Sequence, residues 1–155
     1  MANPRVKHRN PNPLLASRRV VAELGQYRVR VGWAEDMGAS PETVKIAAIN
    51  TFGAPAANIP ARDALTPMIQ AEKRAIMSAL GHAAKAALRG RDPVPYLEGL
   101  AALLEQRAKS AIEGFADPPN AESTVRQKGF QDPLIGKGPD GGRLLAQVAA
   151  RVSKR

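Results

Sequence analysis

The residues best placed to do chemistry lie in "STVRQKGFQDPLIGKGPDGG", residues 123–142, where Gly136, Gly138 and Gly141 form a Gly-x-Gly-x-x-Gly run. Such a run cradles a phosphate when it follows a strand, opens a helix and precedes an acid by about 20 residues. Only 14 residues follow Gly141, and none is acidic. A P-loop is excluded as well, because Lys137 is followed by Gly138 where Ser or Thr is required. The stretch therefore reads as a structural loop. His8 and His82 fall in a basic terminal segment and in the middle of a helical pattern, with no His-x-x-x-His spacing to hold a metal. The chain has no cysteine and no Gly-x-Ser-x-Gly elbow, and its adjacent acids Glu35 and Asp36 have the look of solvated loop residues. The expectation is a protein that is not an enzyme, with no catalytic, cofactor or metal residues.

Charge points to partners. Lys and Arg outnumber Asp and Glu by 23 to 14, a net charge of +9. The excess lies at the ends: Arg5, Lys7, Arg9, Arg18 and Arg19 stand in the first 22 residues without an acid, and seven bases face Asp132 and Asp140 from Arg126 onward. A basic surface meets nucleic acid, an acidic protein surface or an anionic membrane. A membrane is the poorest fit, since no basic segment is strongly amphipathic and no apolar run reaches the roughly 20 residues a spanning helix needs. The basic N-terminus lacks the apolar centre of a signal peptide, so export is not expected. Nucleic acid fits better, through Arg28 and Arg30 on one strand face. Yet the six aromatics are scattered and no recognition helix is evident, so any such binding would be nonspecific.

A chain of 155 residues suits a single domain, and with only 4% aromatics its core must be aliphatic. Residues 1–17 read as a flexible basic arm and residues 18–155 as the domain. A charged tail that serves only solubility is the alternative reading of that arm. Gly25-Gln26 separates two β-prone runs and suggests a hairpin, although "VVAEL" also suits a helix. In the second run Tyr27, Val29, Val31 and Trp33 alternate with Arg28, Arg30 and Gly32, which is a strand pattern. "SPETVKIAAINTFG" is a helix capped by Ser40, begun by Pro41 and stopped by Gly53. Phe52 is expected to anchor it in the core. Two longer helices follow, from about Asp63 to Arg89 and from about Pro95 to Gly114. Their apolar stripes are Ile69, Ile76, Leu80, Ala84 and Leu88, then Leu97, Leu100, Leu104, Ala108 and Ile112. A short link makes them an antiparallel pair. A brief turn or helix spans 123–128, and "LLAQVAARV" closes the chain as a strand. The fold class is α+β: a small antiparallel sheet packed against a long helical pair, with an extended N-terminal arm.

Three segments in order carry a resemblance. "KIAAINTFGA" is a short helix ending in Phe-Gly; "NIPARDALTPMI" carries Ile-Pro-Ala-Arg-x-x-Leu-x-Pro; "STVRQKGFQDPLI" carries Ser-Thr-Val-x-x-Lys-Gly-x-x-x-Pro-Leu-Ile. With the preceding "RVRVGW" they resemble the tail-completion and neck proteins of long-tailed bacteriophages, including Mu-like virion morphogenesis proteins and lambda-like minor tail components. The resemblance runs from about Tyr27 to the end. It departs where the family continues with Asp-Thr-Gly, so that either Gly138 or Gly142 takes the glycine's place, and at the N-terminus, where an amphipathic helix would be expected instead of a proline-rich arm.

The resemblance implies a structural virion protein at the head–tail junction, made in the host cytoplasm, that completes or caps the tail tube and joins it to the connector. It implies a homo-oligomeric ring, hexameric in the family, with connector or adaptor and tail-tube or tail-terminator proteins as neighbours. It implies no cofactor and no membrane, and it admits a passing contact with phage DNA. The alternative is a nonspecific nucleic-acid-binding protein. Candidate assembly residues are Arg5, Lys7 and Arg9 in the arm, Phe52 and Gly53, then Pro60 and Arg62, and Lys128, Pro133 and Leu134. Pro60 stiffens the approach to the long helix. Arg62 would fork onto a carboxylate of the same or a neighbouring subunit. Lys128-Gly129 would end the short turn, and Pro133-Leu134-Ile135 would dock an extended segment on the core.

Overall fold

The computed structural model describes residues 13–136 and 142–154. In chain order its elements are α1 (Pro13–Leu24), β1 (Tyr27–Gly32), α2 (Pro41–Phe52), α3 (Leu65–Ala71), α4 (Lys73–Leu88), α5 (Val94–Glu113), α6 (Glu122–Lys128), α7 (Arg143–Gln147) and β2 (Ala149–Lys154). The fold is α+β: a two-stranded antiparallel sheet packs against helices that include the long pair α4 and α5.

α5 is the centre of the molecule. It packs against α3, α4, α7 and both strands. Its buried residues are Leu97, Leu100, Ala101, Leu104, Ala108 and Ile112, spaced three or four apart so that they share one face. Ile112 is 1% exposed. Alanines 83, 86 and 87 are the buried residues of α4, and such small side chains let two helices approach closely. The expected stripe is met in part: Ile76 packs against the core, and Ile69, Ile76 and Leu80 line an apolar cavity with Leu97, Leu100 and Leu104, but Ile69, Leu80 and Leu88 remain exposed. The long helix expected over 63–89 is two helices meeting at Glu72. Backbone bonds from Glu72 N to Met68 O and from Ile76 N to Glu72 O carry the chain through the joint.

The sheet joins distant parts of the chain. Tyr27 faces Lys154 and Gly32 faces Ala149. The closing strand is thus present from Ala149 with β1 as its partner, whereas residues 144–147 of the stretch expected to be strand lie in α7. The hairpin expected around Gly25 is absent, because residues 13–24 form a helix instead. The physical reason is that Val20 and Leu24 stand a helical turn apart, among Arg, Ala and Glu residues of good helix propensity. Val20 is buried and α1 packs on α4, a tertiary contact that a β-prone "VV" pair cannot override. The helix begins at Pro13, so the arm boundary drawn at 17 falls within it, and a helix stands where the resemblance appeared to lack one. Arg5, Lys7 and Arg9 lie outside the described residues, as do Gly138 and Gly141 of the glycine-rich loop.

α2 follows its sequence signals. Ser40 Oγ accepts from Thr43 N at 3.2 Å, and Pro41 opens the first turn. α2 is tied to the C-terminal region by polar bonds: Ser40 N donates to Gln147 Oε1 at 2.7 Å, and Arg143 pairs with Glu42 at 2.6 Å. Beside them Trp33 Nε1 donates to the carbonyl of Leu144 at 2.7 Å, which holds the end of β1 against α7.

Candidate functional site

The loop after α2 is built around one glycine. Gly53 has φ +73, a region that side chains other than hydrogen rarely adopt. A Cβ there would lie 2.9 Å from both Ala61 N and Ile59 O. The glycine thus lets residues 59–61 fold directly back onto the end of α2. Two backbone bonds between Ala54 and Ile59 close the loop, at 2.9 and 3.1 Å, with Asn58 in a left-handed turn at φ 54. Arg62 N then donates to Asn50 O, which fastens the loop to the helix.

Arg62 continues the chain of contacts. Its Nε donates to Pro118 O at 3.2 Å and an Nη to Pro119 O at 3.1 Å. Among the described residues Arg62 has no carboxylate partner; the guanidinium instead holds the turn that follows α5. Two unpaired carbonyls in a proline pair, with no N–H in between to compete, suit a planar multi-donor group. Asn120 carries the link onward, its Nδ2 donating to Gln131 O at 2.9 Å and to Asp132 O at 3.2 Å. Lys128 Nζ donates to Asp132 O at 2.7 Å and sits 4.9 Å from the centre of the Phe130 ring. Burial pushes the Lys128 ammonium down from its ordinary pKa; Arg62's charge adds to this, and Asp132's opposes it.

These contacts enclose an open cleft of about 640 Å³. Its walls come from the end of α2 (Ile49, Asn50), from the 57–62 segment with Pro60 and Arg62, from the 119–121 turn, and from α6 and the residues after it, with Lys128 and Pro133. Parts of the three segments that carry the phage resemblance therefore meet at one place. α6 ends at Gly129 in a left-handed conformation, as the Lys128-Gly129 pair suggested, and Leu134 is buried in the core with Ile135 packed against it. Pro60 is exposed on the rim.

Phe52 departs from its expected role. It is 79% exposed, so it does not anchor α2 in the core. Thr43 and Ala47 are the buried residues of that helix. Phe52 lies nine positions after Thr43, about 180° around a helix of 3.6 residues per turn, and so it faces outward. Sequence reasoning also missed Asn120, whose only signal was its place after two prolines, where Asn commonly bonds nearby backbone.

The remaining polar groups are structural. Arg30, read as part of a basic strand face, is paired with Asp36, which holds the Asp36 carboxyl below its usual range through the side-chain hydrogen bond. That pairing leaves Arg28 as the exposed base of the face. His82 is exposed, with Nδ1 2.9 Å from Ser78 O and its ring stacked near Tyr96. Among the described residues no group of three or more His, Asp or Glu is placed to hold a metal, and no helix is long and apolar enough to cross a membrane. No family model, no curated protein and no solved structure matches the chain.

Proposed function

We propose that this chain is a structural virion protein that acts in several copies at the head–tail junction of a phage, completing the tail and joining it to the connector. The observation that carries the reading is the meeting of parts of "KIAAINTFGA", "NIPARDALTPMI" and "STVRQKGFQDPLI" around one cleft, although 68 residues lie between the first segment and the last. Motifs that recur together because they build one surface are expected to meet in this way. Phe52, exposed at the end of the helix that supplies Ile49 and Asn50 to the cleft, supports an assembly role, since a large exposed aromatic is the type of residue that anchors protein interfaces. No chemistry is required of the site in this reading, and the work is done by docking.

The test is made on particles. Mass spectrometry of purified virions should detect the protein, and disruption of its reading frame should leave filled heads and tails unjoined. Its absence from virions, with normal particles after disruption, would reject the reading. The net charge of +9 favours nonspecific nucleic-acid binding as the second reading. That reading requires affinity for arbitrary duplex DNA that falls steeply with salt.

A further inference from the structure

Among the described residues the cleft wall carries two bases and no carboxylate of its own, while Asp132, outside the wall, attracts the Lys128 ammonium. Those two bases are Arg62 and Lys128. Elsewhere five bases have acidic partners: Arg30 has Asp36, Arg107 has Glu72, Arg143 has Glu42, and Lys109 and Arg151 share Glu105. Arg62 and Lys128 instead donate to backbone carbonyls. A guanidinium has five N–H donors; two are used at Arg62, which leaves 5 − 2 = 3. An ammonium has three, and one is used at Lys128, which leaves 3 − 1 = 2. Two partly buried cations lining one cleft, with donors to spare, form a site for an anion.

We propose that this cleft binds a carboxylate side chain carried on an extended segment of a partner polypeptide. The walls decide between a peptide and a nucleic-acid backbone. Ile59, Pro60 and Pro133 offer apolar contact, and the amides of Asn58 and Asn120 stand among them, which suits the alternating chemistry of a peptide. Among the described residues a nucleic acid would meet two bases and no aromatic ring in the cleft wall on which to stack. The inference goes beyond the virion reading and does not depend on it, because any partner with an exposed acidic strand or loop fits.

The full chain, isotope-labelled for NMR, is titrated with a short blocked peptide of alternating glutamate and leucine, with the same peptide carrying glutamine for glutamate, and with a short DNA duplex. Amide shifts should cluster at Asn50, Arg62, Thr124 and Lys128. The glutamine peptide should bind about tenfold more weakly, the weight of one charge-assisted hydrogen bond. Asn58→Asp places a carboxylate inside the cleft without removing any bond of Arg62 or Lys128, and its left-handed φ of 54 is one that Asp tolerates. It should weaken the glutamate peptide about tenfold while leaving the thermal midpoint in place. Thr124→Glu, entering from α6, should do the same. Equal affinity for the two peptides, wild-type affinity in either variant, or tighter binding of the duplex than of the peptide would overturn the proposal. None of these outcomes bears on whether the protein is found in virions, so the two readings fail separately.

Discussion

The two halves of this molecule are held together by different means. On the α5 side, apolar side chains recur at helical spacing and bury one another: Leu97, Leu100, Leu104, Ala108 and Ile112 form one continuous face. On the cleft side, polar side chains reach for backbone carbonyls: Arg62 for Pro118 and Pro119, Asn120 for Gln131 and Asp132, Lys128 for Asp132. The first kind of cohesion is sensitive to lost volume, even though an apolar cavity of about 300 Å³ remains between Leu97, Leu100 and Leu104 and the side chains of Val29, Val31 and Ile76. The second depends on geometry at a few atoms and leaves open space between them. A surface that must receive a partner needs the second kind, set on a scaffold of the first.

The largest effect is expected where the packing is tightest. Ile112→Ala removes a side chain that is 1% exposed at the centre of the core and should cost about 2–5 kcal/mol. Chemical denaturation of the isolated protein measures it. A loss well below that range would mean that the core is loose and that the contrast between the halves is weaker than the contacts suggest.

Gly53 and Arg62 test the cleft side. Gly53→Ala forces a Cβ to within 2.9 Å of two backbone atoms at φ +73, and should cost about 1–3 kcal/mol. Arg62→Ala removes two bonds that are partly open to solvent, at 3.1 and 3.2 Å, and should cost about 1–2 kcal/mol. Hydrogen exchange should show the difference in kind: Arg62→Ala loosens residues 118–121 and leaves α5 protected. If exchange rises evenly across the molecule, the two halves are one cooperative unit.

These differences also explain what could be read from the sequence. α5 and β1 were legible because burial imposes a period, 3.6 or 2, on residue type. α2 was legible because Ser40, Pro41 and Gly53 mark its ends. α1 was misread since its adjacent valines favour a strand locally, while its packing on α4 is a tertiary fact. The cleft was half legible: Gly53, Pro60, Arg62, Lys128 and Pro133 were singled out, and they do gather. Their partners were not, because a backbone carbonyl has no letter in the sequence. Arg62 could be given only a carboxylate to hold, when what it holds is the main chain of two prolines.

Glu105 is a polar exception on the core side, and pH tests it. Its Oε2 accepts from Ala150 N at 3.1 Å and from Arg151 Nη1 at 3.2 Å, and its Oε1 accepts from Lys109 at 2.9 Å. It thereby satisfies a strand N–H directed away from β1. The hydrogen bond from Lys109, followed by that from Ala150, holds its carboxyl below the ordinary range. A folded pKa below the unfolded one contributes stability above the unfolded value and loses it as pH falls through the folded value. Thermal melts taken from neutral pH into the acid range should therefore fall less steeply for Glu105→Gln than for wild type. The difference should be about 1 kcal/mol or less, because the pair is open to solvent. Identical acid limbs would show that the carboxylate contributes nothing at this edge.

The smallest effect on stability is expected at the residue first given the largest. Had Phe52 been the core anchor of α2, Phe52→Ala would cost about 3–5 kcal/mol. At 79% exposed it has little burial to lose, and the change should fall within about 0.5 kcal/mol of zero. Such a large ring left in water beside Gly53 is neutral for the fold but not for a partner, since burying it on docking would recover the hydrophobic stabilisation that the monomer lacks. Phe52→Ala should thus leave the melt unchanged and lower the yield of joined particles, measured by complementation of a disrupted gene. An unchanged melt with unchanged particle yield would remove Phe52 from the interface and confine the docking surface to the cleft. A large drop in the melt would return Phe52 to the core and contradict its exposed position at the end of α2.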